Sequence, residues 1–268
     1  MRIICDTSVW YWIGEGDFDP VPYKEKGHQF IATALNIREL SSSEKFIRNP
    51  NKFKLALNSM LDNADDFILF DPVDYMLLNY FSEDHTADAN TYKNMKRKIE
   101  LCRNFDPAQI NTSLDEFRSK IEEFDHWYIG FANMLNESLE DVREGLMKKY
   151  GSKRKIRTRS TEKNIASMVF GFLETKYNGT SEILKDPELL SCINLFSYGF
   201  DYYYKNLEHI DNWRSKTNHI YDLFNLGYVG FNDYYAAFDW KEPYLTLQKS
   251  GKTARYFPIK KLAKRPPI

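Results

Sequence analysis

Apolar positions run without interruption through the first strand-length segment of the chain and then stop at three polar residues. Arg2 to Cys5 carries the β-branched pair Ile3 and Ile4. A continuous apolar run of this kind predicts a short parallel strand covered on both faces. Asp6, Thr7 and Ser8 end it. Ser8 to Ile13 predicts a helix capped by Thr7 or Ser8, and Gly14 to Pro22 predicts a loop. Gln29 to Leu35 predicts a second strand, and Asn36 to Arg48 a helix broken by Asn49 and Pro50.

The period changes from Asn51 to about Arg214. Phe53, Leu57, Met60 and Leu61 share one helical face, and Thr91–Cys102, Ser113–Phe124, Ser138–Tyr150 and Glu162–Leu173 repeat such spacings. Alternation returns near the end, with a short helix over Ile220–Leu226 and a strand over Tyr234–Phe238, followed by Asp239 and a basic tail. A further strand near residues 67–74 is expected to join the core. The pattern predicts an α/β fold in which residues 1–48 and 215–268 form a parallel-sheet core and residues 49–214 form a large, mostly helical insertion.

Composition narrows the class. With 268 residues, 43% of them hydrophobic, the chain can bury a sizeable core. It has no apolar run long enough to span a bilayer, and its first residues lack the pattern of an export signal, so the expectation is a cytoplasmic protein with no membrane association. Cys5, Cys102 and Cys192 are widely spaced, which suits reduced thiols rather than disulfides or zinc.

Charge is segregated behind a formal net value of −1. Lys148 to Lys163 and Lys241 to Ile268 each hold eight basic residues against one acidic, so each carries +7 and the rest of the chain −15. Basic patches on an acidic body can steer a polyanion such as RNA, since neutralising phosphates releases counterions. Solvated loops or tails are the plainer alternative.

Four carboxylates stand where a parallel sheet gathers its ligands, beyond the carboxyl ends of strands. Asp6 follows the first predicted strand, Glu39 lies one turn into the helix after the second, Asp239 follows the last, and Asp222 lies 17 residues upstream of it. Crowded carboxylates repel unless a cation neutralises them. A hard divalent ion, Mg²⁺ or Mn²⁺, fits such oxygen donors and would support hydrolysis of phosphodiesters. Each residue also has a bland reading: Asp6 as a helix cap, Glu39 as a solvated charge, Asp222 as a cap or surface ion pair, Asp239 as a turn residue. Asn218 either faces the same site across one helical turn or caps a helix. Tyr202 to Lys205, YYYK, suits base stacking or core packing.

At these residues the chain resembles the PIN-domain family of metal-dependent ribonucleases. ICDTSVW is similar to the family's first motif, NIREL to the second acidic motif, NHIYDLFNLGYV to the third, and YYAAFDW to the final strand. The resemblance implies a three-layer, Rossmann-like core. It implies Asp6, Asp222 and Asp239 as metal ligands, with Glu39 as a further catalytic acid and Thr7 and Ser8 in support; Asn218 joins them on its spacing to Asp222 alone. The chain departs from the pattern at Ala237, where the family commonly has Thr, and Asp233 is a rival for the fourth acid. The match covers residues 1–48 and 215–248 and is silent on the middle. It implies an endoribonuclease, with an antitoxin or other inhibitory protein as candidate partner; from the charge pattern, Arg154, Lys155, Arg157 and Arg159 are the candidate guide for RNA, and self-association through the insertion is the other candidate partnership. A noncatalytic nucleic-acid-binding or partner-docking protein, or a DNA-directed nuclease of the same chemistry, is the alternative.

Overall fold

The computed structural model describes residues 1–40, 49–70, 224–230, 232–237 and 255–257, together with Pro72, Tyr75, Lys93, Arg97, Asn104 and Lys148. Within them the chain runs β1 (Arg2–Cys5), α1 (Thr7–Gly14), α2 (Val21–Lys24), β2 (Gln29–Thr33), α3 (Ala34–Leu40), α4 (Pro50–Asn63) and β3 (Asp66–Ile68). A 3-10 turn (Leu226–Tyr228), β4 (Tyr234–Ala236) and β5 (Arg255–Tyr256) complete the described elements.

The five described strands form one sheet in the order β3-β2-β1-β4-β5, and every pairing is parallel. The architecture is therefore α/β with a parallel sheet, as the apolar runs predict. β1 is central, with Ile3 level with Phe30 on one side and Tyr234 on the other. The chain steps outward from β1 through β2 to β3, and returns to the opposite side of β1 for β4 and β5. That reversal puts the topological switch point between β1 and β4, and the crevice beyond their carboxyl ends is where such sheets bind ligands.

Strand residues alternate between two buried faces. Ile3, Cys5, Phe30, Ala32 and Ala236 share a core with Val9 and Trp10 of α1 and with Phe53, Ala56, Leu57 and Met60 of α4. Ile4, Ile31 and Tyr235 point the other way and are equally buried, at 0–1% exposure. A sheet covered on both faces explains why β1 is apolar from Ile3 to Cys5. Burying a side chain the size of Ile3 or Ile4 contributes ~1.5–3 kcal/mol, so the run is held in register by its flanks.

Four expectations change. The cap of α1 is Asp6, with extended backbone, rather than Thr7 or Ser8. Asp6 accepts the first-turn N–H of Ser8, whereas Thr7 and Ser8 already belong to the first turn. β2 ends at Thr33 because Thr33 and Asn36 close a local hydrogen-bonded cap that starts α3 at Ala34. The core also continues past residue 48, where the pattern places the start of the helical middle. The amphipathic face of α4 packs on α1 and leads into β3, and periodicity alone does not tell a crossover helix from an inserted one. The strand expected near residues 67–74 lies at Asp66–Ile68.

The fourth change is in the basic tail, which contributes β5. Arg255 is level with Tyr234, Phe257 N–H donates to Tyr235 O at 2.9 Å, and the Phe257 ring meets Tyr23, His28, Phe30 and Tyr234. A two-residue strand inside a run of cations has no clear period. The helices expected over Ser113–Phe124 and Glu162–Leu173 lie outside the described residues. Of those over Thr91–Cys102 and Ser138–Tyr150, Lys93, Arg97 and Lys148 are described, and each is helical and exposed.

Candidate functional site

The carboxyl edge of β1 and β4 is fixed by backbone bonds before any side chain contributes. Cys5 is level with Ala236, and Asp6 N–H donates to Ala236 O at 2.8 Å. Asp6 is thus anchored at the switch point and is only 6% exposed. Its Oδ2 accepts the Ser8 N–H at 3.0 Å and the Ser8 hydroxyl at 2.5 Å. Two donors on one oxygen set the rotation of the carboxylate about its stem, and hydrogen bonds to a carboxylate favour its charged form. The start of α1 adds the positive end of a helix dipole. Ser8 therefore supports Asp6 directly, while Thr7, 3% exposed, turns elsewhere.

Thr7 belongs to a buried polar network that the sequence reading missed. Asn36 Nδ2 donates to Thr7 Oγ1 at 3.1 Å, and Asn36 Oδ1 accepts Thr33 N–H at 2.9 Å and Trp10 Nε1–H at 3.2 Å. Thr33 Oγ1 accepts Asn36 N–H at 3.3 Å and donates to Asn225 Oδ1 at 2.9 Å, a bond spanning 192 residues of sequence. Thr33 and Asn36 are fully buried and Asn225 is 2% exposed. Burying these groups is tolerable only because each of these polar atoms meets another. The signal that finds Thr33 and Asn36 was present: Thr-Ala-Leu-Asn has the reciprocal spacing of a capping box at the start of a helix, with Asn in place of the usual Glu or Gln.

Glu39 lies on α3, one turn beyond Asn36, and is partly exposed. Its charge reaches Tyr11 of α1. Burial chiefly, with the carboxylates of Glu39 and Glu15 adding to it, pushes the Tyr11 hydroxyl well above its ordinary pKa. Glu39 therefore faces the α1 side of the sheet, the side on which Asp6 begins its helix.

Asp233, the rival fourth acid, stands at the opposite edge. It precedes β4, one position before the Tyr234 that pairs Ile3, so it is level with Arg2 and roughly 13 Å along the sheet from Asp6. There its Oδ2 accepts Gly230 N–H at 3.0 Å and lies 3.8 Å from Arg2 Nη1. Burial works against the Arg2 charge, but a hydrogen bond with Tyr75 and the field of Asp233 outweigh it and raise the Arg2 pKa. Asp233 is a structural carboxylate tying the amino ends of β1 and β4, and it leaves the candidate set.

Asp222, Asp239, Asn218, Arg154, Lys155, Arg157 and Arg159 lie outside the described residues. Among the described residues no three acidic, histidine or cysteine side chains converge as a metal cluster. The donors that are described, Asp6 and Glu39, are hard oxygen ligands suited to Mg²⁺ or Mn²⁺. Cys5, beside Asp6 in sequence, is fully buried: its thiol donates toward Ile3 O at 3.4 Å, and burial pushes its pKa well up. No described helix is long and apolar enough to cross a membrane. The chain matches no protein-family model, no curated protein and no solved structure.

Proposed function

We propose that the chain is a divalent-metal-dependent endoribonuclease with a PIN-like core, acting at the carboxyl edge of β1 and β4. The observation that carries this reading is the placement of Asp6: a buried carboxylate at the switch point of a parallel sheet, rotationally fixed by Ser8. Ligands of such sheets bind there. The hard-oxygen donors are consistent with Mg²⁺ or Mn²⁺, held by Asp6 with Asp222 and Asp239, and with Glu39 as a further acid. When bound, such an ion supplies water activation at neutral pH and neutralises the oxygen that leaves the phosphorus.

The chain's own residues do the rest. Asp6 presents a carboxylate whose orientation Ser8 holds through two hydrogen bonds to Oδ2. Basic segments then bring the phosphodiester in by counterion release. Arg154, Lys155, Arg157 and Arg159 form one such segment. The second is the tail, which passes Phe257 level with Ala236 and thus leaves the sheet at the same edge as Asp6. An antitoxin-like inhibitor belongs to this reading as an implication of the resemblance, with a second copy of the chain as the alternative partner and the cytoplasm as the site of action.

The test is cleavage of single-stranded and structured RNA by purified protein with Mg²⁺, with Mn²⁺ and with chelator. Cleavage confined to the metal-containing reactions and lost in Asp6→Asn supports the reading; undiminished activity in Asp6→Asn contradicts it. A noncatalytic RNA-binding protein is the second reading, favoured by the helix-capping bonds that already account for Asp6. It expects RNA binding without cleavage and no affinity for Mn²⁺.

A further inference from the structure

We propose that the buried Thr33–Asn36–Asn225 network is a positioning frame that sets Asp6 and Glu39 relative to one another and to the chain segment of Asn225; this rests on the metal-site reading above. The network joins three chain segments that otherwise share no covalent neighbour. Thr7, bonded to Asn36, is the residue after Asp6. Asn36 lies three residues before Glu39 in α3, one turn along the same side of the helix. Asn225, bonded to Thr33, lies three residues after Asp222 in sequence and is itself in helical conformation. Each of three acids assigned to the site thus stands one to three residues from a network member.

The atoms are used without conflict. The Asn36 amide oxygen takes two donors while its nitrogen donates to Thr7, so the amide has one orientation. The Thr33 hydroxyl accepts from Asn36 N–H and spends its single hydrogen on Asn225. An apolar edge of the same shape would be comparably stable, since net hydrogen-bond gains are modest and unpaired buried groups are costly. What a directional network adds is a fixed separation between segments, as the outer hydrogen bonds of metal sites fix their ligands.

Thr33→Val removes the hydroxyl with little change of shape, and Thr33→Ser restores it. Calorimetric titration with Mn²⁺ is expected to find binding weakened roughly 10- to 100-fold in Thr33→Val and close to wild type in Thr33→Ser. The double variant Thr33→Val/Asn225→Leu replaces both partners by apolar groups and is expected to regain melting temperature without regaining Mn²⁺ affinity. Leu57→Ala, a fully buried core position on α4, controls for destabilisation and is expected to keep its affinity. Wild-type affinity in Thr33→Val, or recovery of affinity along with melting temperature in the double variant, overturns the positioning role. An absence of Mn²⁺ binding in the wild type overturns the metal-site reading itself, and the inference with it.

Discussion

The carboxylate of Asp6 receives both the N–H and the hydroxyl of Ser8, so two substitutions separate its structural role from its chemical one. Asn caps helices about as well as Asp, whereas Ala forfeits the cap at ~1 kcal/mol. Asp6→Asn is therefore expected to keep its melting temperature and lose RNA cleavage, while Asp6→Ala loses both. Thermal unfolding alongside a cleavage assay distinguishes them. Cys5 gives a pH prediction. Its folded pKa lies well above the ordinary thiol value of 9.0, because burial disfavours the thiolate. The unfolded chain alone ionises this thiol as pH rises past that value, so the stabilisation is complete below it and is lost above. Melting temperature is expected to fall above about pH 9, with a shallower fall in Cys5→Ala.

Among the elements, α1 and α4 depend on a close approach at Gly14. A Cβ there would stand 2.8 Å from Ser59 Oγ and 3.2 Å from the Leu55 carbonyl oxygen. Overpacking of this kind costs ~1–3 kcal/mol, against a helix-propensity gain of up to ~1. Gly14→Ala is expected to be net destabilising by denaturant unfolding, and a gain in stability would contradict this packing. Phe257 is the matching test for the last strand: its ring, 5% exposed, meets four aromatic rings on the core side of the sheet. Phe257→Ala is expected to cost ~3–5 kcal/mol, whereas a solvated tail would make it neutral.

These elements also mark how far the sequence could be read. β1 was legible because a parallel strand buried on both faces leaves an unbroken apolar signature, and α4 because its buried residues keep a helical period. Two-residue β5 was not, since its burial comes from neighbouring rings distant in sequence. Asp6 was legible as an acid at a strand end. Its standing as the α1 cap was the plainer of the two readings the sequence offered for it, whereas the retirement of Asp233 to the amino edge depends on register, which one sequence does not carry. The bond between Thr33 and Asn225 spans 192 residues and has no local trace at Asn225.

At the scale of the whole molecule, the fold brings the first forty residues and segments beyond residue 224 into one sheet, so the β1–β4 edge of the proposed site is assembled from segments distant in sequence. The +7 tail enters that sheet as β5 and leaves it at the Asp6 edge. RNA affinity is therefore expected to fall with salt at a slope of about −0.7 for each phosphate neutralised on a single strand. Neutralising Lys260, Lys261, Lys264 and Arg265 to Gln should flatten that slope, measured by fluorescence anisotropy in the Asp6→Asn background. A divalent metal held through Asp6 at the carboxyl edge of β1 and β4 is read out by calorimetric titration of Mn²⁺ into the wild type and into Asp6→Asn. Saturable binding is expected in the wild type and is expected to be lost or weakened at least roughly tenfold in the variant; no binding at millimolar Mn²⁺, or equal binding in both proteins, would contradict the proposed site.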